Sequence, residues 1–519
     1  MNAPAQPSAM VPGLRRNMVT ICAMTATIMQ ALDTTIANVA LPYMQGTLSA
    51  SQDQINWVLT SYIVAAAIMT APVGWIANRF GRKRIFIICS AGFTIASVLC
   101  GLAQDIGQMV LFRLMQGVFG AGLVPLSQAV TLDSNTLQER AKAMAIWGMG
   151  VMMGPIMGPS LGAWLTETYS WHWVFFVNLP FGIFTVLGLL IFMDETKKDQ
   201  ALRFDWFGFA ALAVAIGALQ LALDRGEQLG WLESNEILAE FIIAGVGFYY
   251  FLAHSLTTSQ PFIQFALFKD KNFVGGCVFM AVMGLVLFST MALASPFLQN
   301  VIGYPIITAG LLLASRGCGT FVAMMLVGRM MRYIEARTLI ISGLSITCAS
   351  LYYMTYWTDQ TGATEIMVVS IIQGFGFGLV FVPLSTVAFL TLPNHLRTDG
   401  TSMLTLMRNV ASSIGISVVI SQLTQGTRYN YAILSEHINP FNQALQMPQV
   451  RAMLDMATDK GRAMADAIVR AQAQIVAFSQ DYQMVMVFTA CAIPLAIMIG
   501  SSKAALRKQA LPPEHAVTE

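Results

Sequence analysis

"MVTICAMTATIMQALDTTIANVALP", Met18 to Pro42, decides what kind of protein this is. Its apolar residues do not alternate as in a half-buried strand, and the run is long enough to cross a hydrocarbon layer, which takes about 20 helical residues. One residue is out of place. Asp33 is a carboxylate at bilayer depth, where insertion costs on the order of 2.5–3.5 kcal/mol, so an acid there needs a reason to stay.

The rest of the chain has the same character. It has 519 residues, 56% of them hydrophobic and 11% charged, with a mean hydropathy of +0.63. A soluble domain carries about 25% charged residues. The continuous apolar runs predict an all-α polytopic membrane protein, since a barrel strand would alternate. Fourteen spans are expected, near 18–40, 55–77, 85–104, 107–131, 142–165, 173–193, 204–223, 237–256, 273–299, 307–329, 338–357, 365–391, 400–424 and 483–502. Twenty of the 29 lysines and arginines fall in alternate loops, among them Arg15, Arg16, Arg79, Arg82, Lys83, Arg84, Arg140 and Lys142. Basic loops stay inside, so both termini are expected in the cytoplasm.

Several function classes drop out. Seven scattered cysteines and five histidines show no metal-ligand spacing, so no metal is expected. No G-x-x-x-x-G-K-[ST] loop occurs, so no nucleotide or other cofactor is expected and pumping energy must come from an ion gradient, the proton gradient above all. The chain reads as a transporter and not as an enzyme, with no nucleic-acid partner.

An internal repeat supports this reading. "QGVFGAGLVPLSQAV" from Gln116 returns as "QGFGFGLVFVPLSTVAF" from Gln373, about half the chain later. Duplicated helical bundles are a transporter signature. The expected organisation is a cytoplasmic tail (1–17), a six-helix bundle (18–193), two extra spans with linkers (194–272), a second six-helix bundle (273–502) and a cytoplasmic tail (503–519). A polar extracytoplasmic loop, 425–481, interrupts the second bundle. Its last part steps Met464, Ile468, Ala471, Ile475, Phe478 and Tyr482 along one predicted apolar helical face.

Four motifs carry a family resemblance. "GWIANRFGRKR", Gly74 to Arg84, resembles the signature loop G-x-L-A-D-R-x-G-R-K of the major facilitator superfamily; Gly74, Arg79, Gly81, Arg82 and Lys83 match, and Asn78 replaces the usual Asp. The resemblance implies a latch on the cytoplasmic gate. Asn78 can accept a helix-cap hydrogen bond but brings no charge. "GVMMGPIMGPSLG" resembles the antiporter motif of exporters through Gly150, Gly154, Pro155 and Gly158, though Pro159 replaces its last Gly. "LFRLMQGVFGAG" resembles the motif built on a buried arginine, here Arg113 with Gln116 and Gly117; "WHWVFFVNLPFG" resembles W-R-W-x-F-x-x-N-x-P-x-G with His172 for Arg. Together they resemble the fourteen-span drug:H⁺ antiporters of EmrB/QacA type, and the EmrB branch in particular.

The resemblance implies a proton-driven exporter of small amphipathic drugs across the inner membrane. It also implies two partners, a periplasmic adaptor (an EmrA-like membrane fusion protein) and an outer-membrane channel, with loop 425–481 either docking the adaptor or lying on the transporter's own outer surface. Exporters of one defined metabolite share the fold, and a non-transporting sensor is the third reading. Asp33 and Arg113 sit roughly 12 and 10 Å from the outer ends of spans that are neighbours in the family fold. A buried acid whose cation partner comes and goes can take a proton in one conformation and release it in another; a static pair that only fixes two helices is the alternative. Gln116, Arg316 and Arg408 remain candidates for substrate contact or charge balance, with snorkelling to an interface the other reading for the arginines.

Overall fold

The computed structural model describes residues 13–496 apart from positions 137–138, 197, 199–202, 259–260, 394–395, 440–441, 448, 451–453 and 455. The tail expected at 503–519 and residues 1–12 of the tail expected at 1–17 lie outside the described residues. The first bundle consists of α1 (Gly13–Thr47), α2 (Gln52–Thr70), α3 (Val73–Phe80), α4 (Arg82–Gly101), α5 (Ile106–Gly120), α6 (Leu123–Ser134), α7 (Arg140–Thr168), α8 (Trp173–Phe176) and α9 (Asn178–Phe192). Then come α10 (Trp206–Leu229) and α11 (Asn235–Thr257). The second bundle is α12 (Lys271–Pro296), α13 (Ile306–Met330), α14 (Ala336–Met354), α15 (Ala363–Val387), α16 (Arg397–Glu436), the short α17 (Gln443–Gln446) and α18 (Asp459–Leu495).

Among the described residues a helix or a pair of helices lies at each expected span, and positions 497–502 of the last one lie outside the described residues. Among the described residues ten helical segments are long and apolar enough to cross a membrane, twelve if each bent pair is one span. α14 and α18 take the places of the eleventh and fourteenth expected spans. Breaks follow the sequence: α2 and α3 meet at 55° beside Pro72, and α7 bends by 43° between Gly154 and Met157, where Pro155 falls. Proline removes a ladder hydrogen bond and clashes with the preceding turn. The side chain of Pro155 lies outside the described residues.

The two bundles meet along α7 against α13 and along α3 and α6 against α16. The Trp147 ring stacks on Phe381 across that seam, centroids 6.0 Å apart. Between the bundles α10 bridges α2 and α16: Gln220 donates to Ser413 Oγ at 2.9 Å, and Ser417 donates to the Leu223 carbonyl at 2.8 Å. α11 packs on α10 and leaves exposed a face of Ile242, Val246, Tyr249 and Tyr250.

The 425–481 loop is largely an extension of the spans on either side. The 40 residues of α16 and the 37 of α18 correspond to about 60 and 55 Å of helix at 1.5 Å per residue, against a hydrocarbon core of about 30 Å. The extensions pack together through Asn430 Nδ2 to Gln480 Oε1 at 3.2 Å and through the Tyr431 hydroxyl to Asp466. The expected apolar face is corrected over its first half. Met464 and Ile468 are exposed, while Ala465, Val469, Ala473 and Ala477 face inward. A ladder of small residues lets two backbones approach, and close packing wins over a stripe of bulkier side chains. Ile475, Phe478 and Tyr482 are buried as expected.

Candidate functional site

α1 and α7 are pressed together where Asp33 lies. A Cβ on Gly154 would stand 2.2 Å from the Ala31 carbonyl carbon, and one on Gly158 only 1.9 Å from Thr35 Oγ1. Gly150 meets Met24 in the same way, and Thr35 donates to the Gly154 carbonyl at 3.0 Å. The antiporter-motif glycines therefore set the helix that carries Asp33.

The Asp33 side chain reaches into the first bundle and is fully buried. Arg113 Nη1 of α5 donates to its Oδ2 at 2.7 Å. Its Oδ1 accepts from Gln116 Nε2 at 2.7 Å and from Asn178 Nδ2 at 3.1 Å. The depths inferred from sequence are now a contact. Arg113 also donates from Nε to the Val58 carbonyl at 3.0 Å and from Nη1 to Gln116 Oε1 at 2.8 Å, and its guanidinium lies 4.3 Å from the Tyr62 ring centroid. Asn178 is itself held by Ser97 Oγ at 3.0 Å. Three N–H donors on one carboxylate satisfy its charge, and charge-assisted bonds of this kind are the strong ones. Gln116, expected as a substrate or charge-balance residue, belongs to this cluster. Tyr62, Ser97 and Asn178 were not singled out from sequence, although Asn178 lies in the "WHWVFFVNLPFG" motif.

A second constellation joins the bundles at the end bearing the basic loops. Asp133 of α6 accepts from Arg82 in its own bundle and from Arg397 Nη1 of α16 at 2.8 Å. Asn78 Nδ2 lies 3.4 Å from each carboxylate oxygen of Asp399 on α16. The expected cap role of Asn78 is corrected: its amide donates, and the acid sits on the partner helix. Gly74 makes this possible, since a Cβ there would lie 2.7 Å from Asp399 Cα. Gly81 turns the chain at φ +97°, a conformation that favours glycine. Lys83 donates to the Leu190 carbonyl at 2.9 Å, whereas Arg79, half-buried on α3, has its Nη1 buried and unpartnered among the described residues. Asp133, Arg397 and Asp399 carried no motif and were missed.

Arg316 and Arg408 join neither constellation. Arg316 donates from Nη1 to Thr290 Oγ1 at 3.3 Å, and Arg408 from Nη2 to Asn409 Oδ1 at 3.3 Å.

A family model, Major Facilitator Superfamily, matches residues 23–416. The chain is 34% identical over 439 residues to the multidrug export protein EmrB of Escherichia coli K12, covering 84% of this chain and 85% of the relative. The chain belongs to the major facilitator superfamily, EmrB type. It is also 33% identical to the fatty acid resistance protein FarB of Neisseria gonorrhoeae over 82% of this chain and 84% of that one. Two solved structures share the fold. A bacterial homologue of the human lysosomal transporter Spinster matches at TM-score 0.54 and 18% identity, covering 96% of this chain and 99% of its own. The human organic anion transporter MFSD10 matches at TM-score 0.55 and 11% identity, covering 91% and 99%. This EmrB-type member of the superfamily is thus an all-helical, multi-pass membrane transporter.

Proposed function

We propose that the protein is a proton-driven multidrug exporter that moves amphipathic toxic compounds out across the inner membrane, with both termini in the cytoplasm. The observation that carries the reading is the Asp33 cluster, set in place by the antiporter-motif glycines at the α1–α7 seam. Protonating Asp33 cancels the charge that Arg113, Gln116 and Asn178 converge on, and so frees Arg113 and loosens α5 from α1. Drug and proton then exclude each other, and the bundles rock about the site while the Asn78–Asp399 and Arg397–Asp133 latch closes and opens. The test is efflux of ethidium from proteoliposomes under an imposed pH gradient. Wild type and Asp33→Glu are expected to respond to the gradient; a full response in Asp33→Asn overturns the role of Asp33.

The relatives' names support a drug substrate, and the name of FarB supports a narrower alternative, export of one class of compound. A susceptibility panel on cells lacking the protein separates them: broad sensitisation supports the first, a single phenotype the second. The paired extensions of α16 and α18 project well beyond the bilayer and expose Tyr429, Ile433, Met464 and Ile468, which supports docking of a periplasmic adaptor in a tripartite system with an outer-membrane channel. Removing 447–470 is expected to abolish capture of the adaptor; unchanged capture takes the extensions out of that interface.

A further inference from the structure

The second bundle holds an acid treated very differently from Asp33. Asp481 of α18 is fully buried, and neither carboxylate oxygen has a hydrogen-bond partner among the described residues. Its neighbours in the chain are well placed: Ser479 donates to the Thr355 carbonyl at 2.7 Å, and Gln480 accepts from Asn430. A buried carboxylate without a donor is not held as an anion; such a group neutralises. Asp33, with three donors, has what an anion needs, and Asp481 has none of it.

The buried polar groups around Tyr482, the next residue of α18, and around Arg316 are equally unsatisfied. The Tyr482 hydroxyl, the Trp357 indole N–H, Gln373 Oε1 and Arg316 Nε and Nη2 are all buried without partners among the described residues. Tyr482 lies within electrostatic reach of both Asp481 and Arg316, and its ring centroid is 5.9 Å from that of Trp357. The repeat relates this cluster to the first. Gly117, after Gln116, abuts the Tyr62 carbonyl of α2, and Gly374, after Gln373, abuts the Arg316 carbonyl of α13. Arg316 thus stands where Tyr62 stands in the first bundle, so the cation sits on the second helix of its half while the acid comes from the sixth.

Other titratable groups on the helices packed against α18 are engaged or turned away. Tyr352, Tyr353, Tyr429 and Arg428 are exposed, Tyr431 donates to Asp466, and Cys348 donates to the Met486 carbonyl. Arg408 bonds Asn409, and Lys271 and Cys277 lie at the opposite end of α12.

We propose that Asp481 is a second proton-binding acid of this transporter, with Arg316 and Tyr482 the groups that receive its carboxylate when the proton leaves. This rests on the proton-driven reading above. On this proposal Asp481 keeps its proton in the arrangement described here, where neither oxygen has a donor among the described residues. On release the proton passes to water, and the carboxylate becomes the counter-ion that Arg316 lacks, with the Tyr482 hydroxyl donating to it. One helix shift then separates a neutral-acid state from an ion-paired state, and proton binding selects between them.

Infrared spectroscopy of the purified protein in lipid nanodiscs tests the protonation directly. Subtracting Asp481→Asn from wild type at neutral pH is expected to leave a carboxylic-acid C=O band, and the same subtraction made in an Asp33→Asn background to leave it too. Asp481→Glu, which folds if the site tolerates an acid, is expected to restore the band. Absence of the band overturns the proposal. In ethidium-loaded proteoliposomes with the membrane potential clamped, each coupled proton multiplies the limiting dye gradient tenfold per pH unit. Asp481→Asn is therefore expected to lower that limit about tenfold at a difference of one pH unit, and an unchanged limit overturns the coupling. A wild-type gradient indifferent to pH overturns the proton-driven reading itself, a failure distinct from a loss confined to this variant.

Discussion

The side-chain amide of Asn78 faces both carboxylate oxygens of Asp399 across the boundary between the two bundles, 3.4 Å from each. The signature loop normally supplies an acid at this position; here the acid is on α16 and the loop supplies the amide. Asn78→Asp would set two carboxylates against each other. Like charges about 4 Å apart repel by about 4 kcal/mol at an effective dielectric of 20, so the closed basic end should lose population by at least tenfold. Cross-linking of cysteine pairs placed across α3 and α16 is expected to fall in Asn78→Asp and to recover in Asn78→Asp with Asp399→Asn. Equal cross-linking in all three would mean that the contact does not latch the bundles.

The α1–α7 seam predicts an ordering of glycine variants. Gly154→Ala drives a methyl into the Ala31 backbone, which cannot move aside, whereas Gly158→Ala meets the Thr35 hydroxyl, the end of a side chain. Overpacking costs about 1–3 kcal/mol. Gly154→Ala is expected at the upper end, Gly158→Ala lower, and Gly46→Ala, with no atom within 4 Å, near zero. Thermal unfolding in detergent reads the order, and a Gly46→Ala loss as large as that of Gly154→Ala contradicts it.

The Asp33–Arg113 pair predicts non-additivity. Removing one partner of a buried ion pair costs about 3–5 kcal/mol, because the other is left charged and unpaired. Arg113→Gln is expected to be strongly destabilised, and Arg113→Gln with Asp33→Asn to recover much of the loss. Arg113→Lys should rescue only in part, since one ammonium cannot reach Asp33, Gln116 and the Val58 carbonyl in the fixed fork of a guanidinium. Denaturation midpoints of wild type, Arg113→Gln, Asp33→Asn and the double variant give the coupling, and additive losses would show that the pair is not energetically joined.

Trp147 offers a further test on the other side of α1. Its indole N–H donates to Ser127 Oγ at 2.8 Å and Thr27 Oγ1 at 3.1 Å, tying α7 to α6 and α1, while its ring stacks on Phe381 of the second bundle. Trp147→Phe keeps a ring but loses the donor, and a loss of about 1 kcal/mol is expected. Trp147→Ala also opens the seam between bundles and should cost about 3–5 kcal/mol. Similar unfolding midpoints for the two would show that the ring stack adds nothing.

Much of this protein was legible in its sequence. Run length gave the spans, basic loops gave an expected orientation, and "QGVFGAG" against "QGFGFG" gave the repeat, because each is a local property of one stretch of chain. Asp33, Arg113 and Gln116 could be named because an ionisable or amide group in an apolar run is conspicuous. Asp399, Asp133 and Arg397 could not, since they lie at polar helix ends where charge is ordinary. Asp481 was hidden in the same way, at the end of a segment that read as a polar extracytoplasmic loop.

Sequence by itself determined that the chain crosses the membrane as a duplicated helical bundle, because burying an unpaired backbone in lipid leaves helices as the only option for runs of that length. Tertiary structure alone decided which acids are satisfied. Hydrogen-bond partners 80 or 321 residues apart in the chain are brought together by helix packing, and helix packing is set by the small residues that let backbones touch.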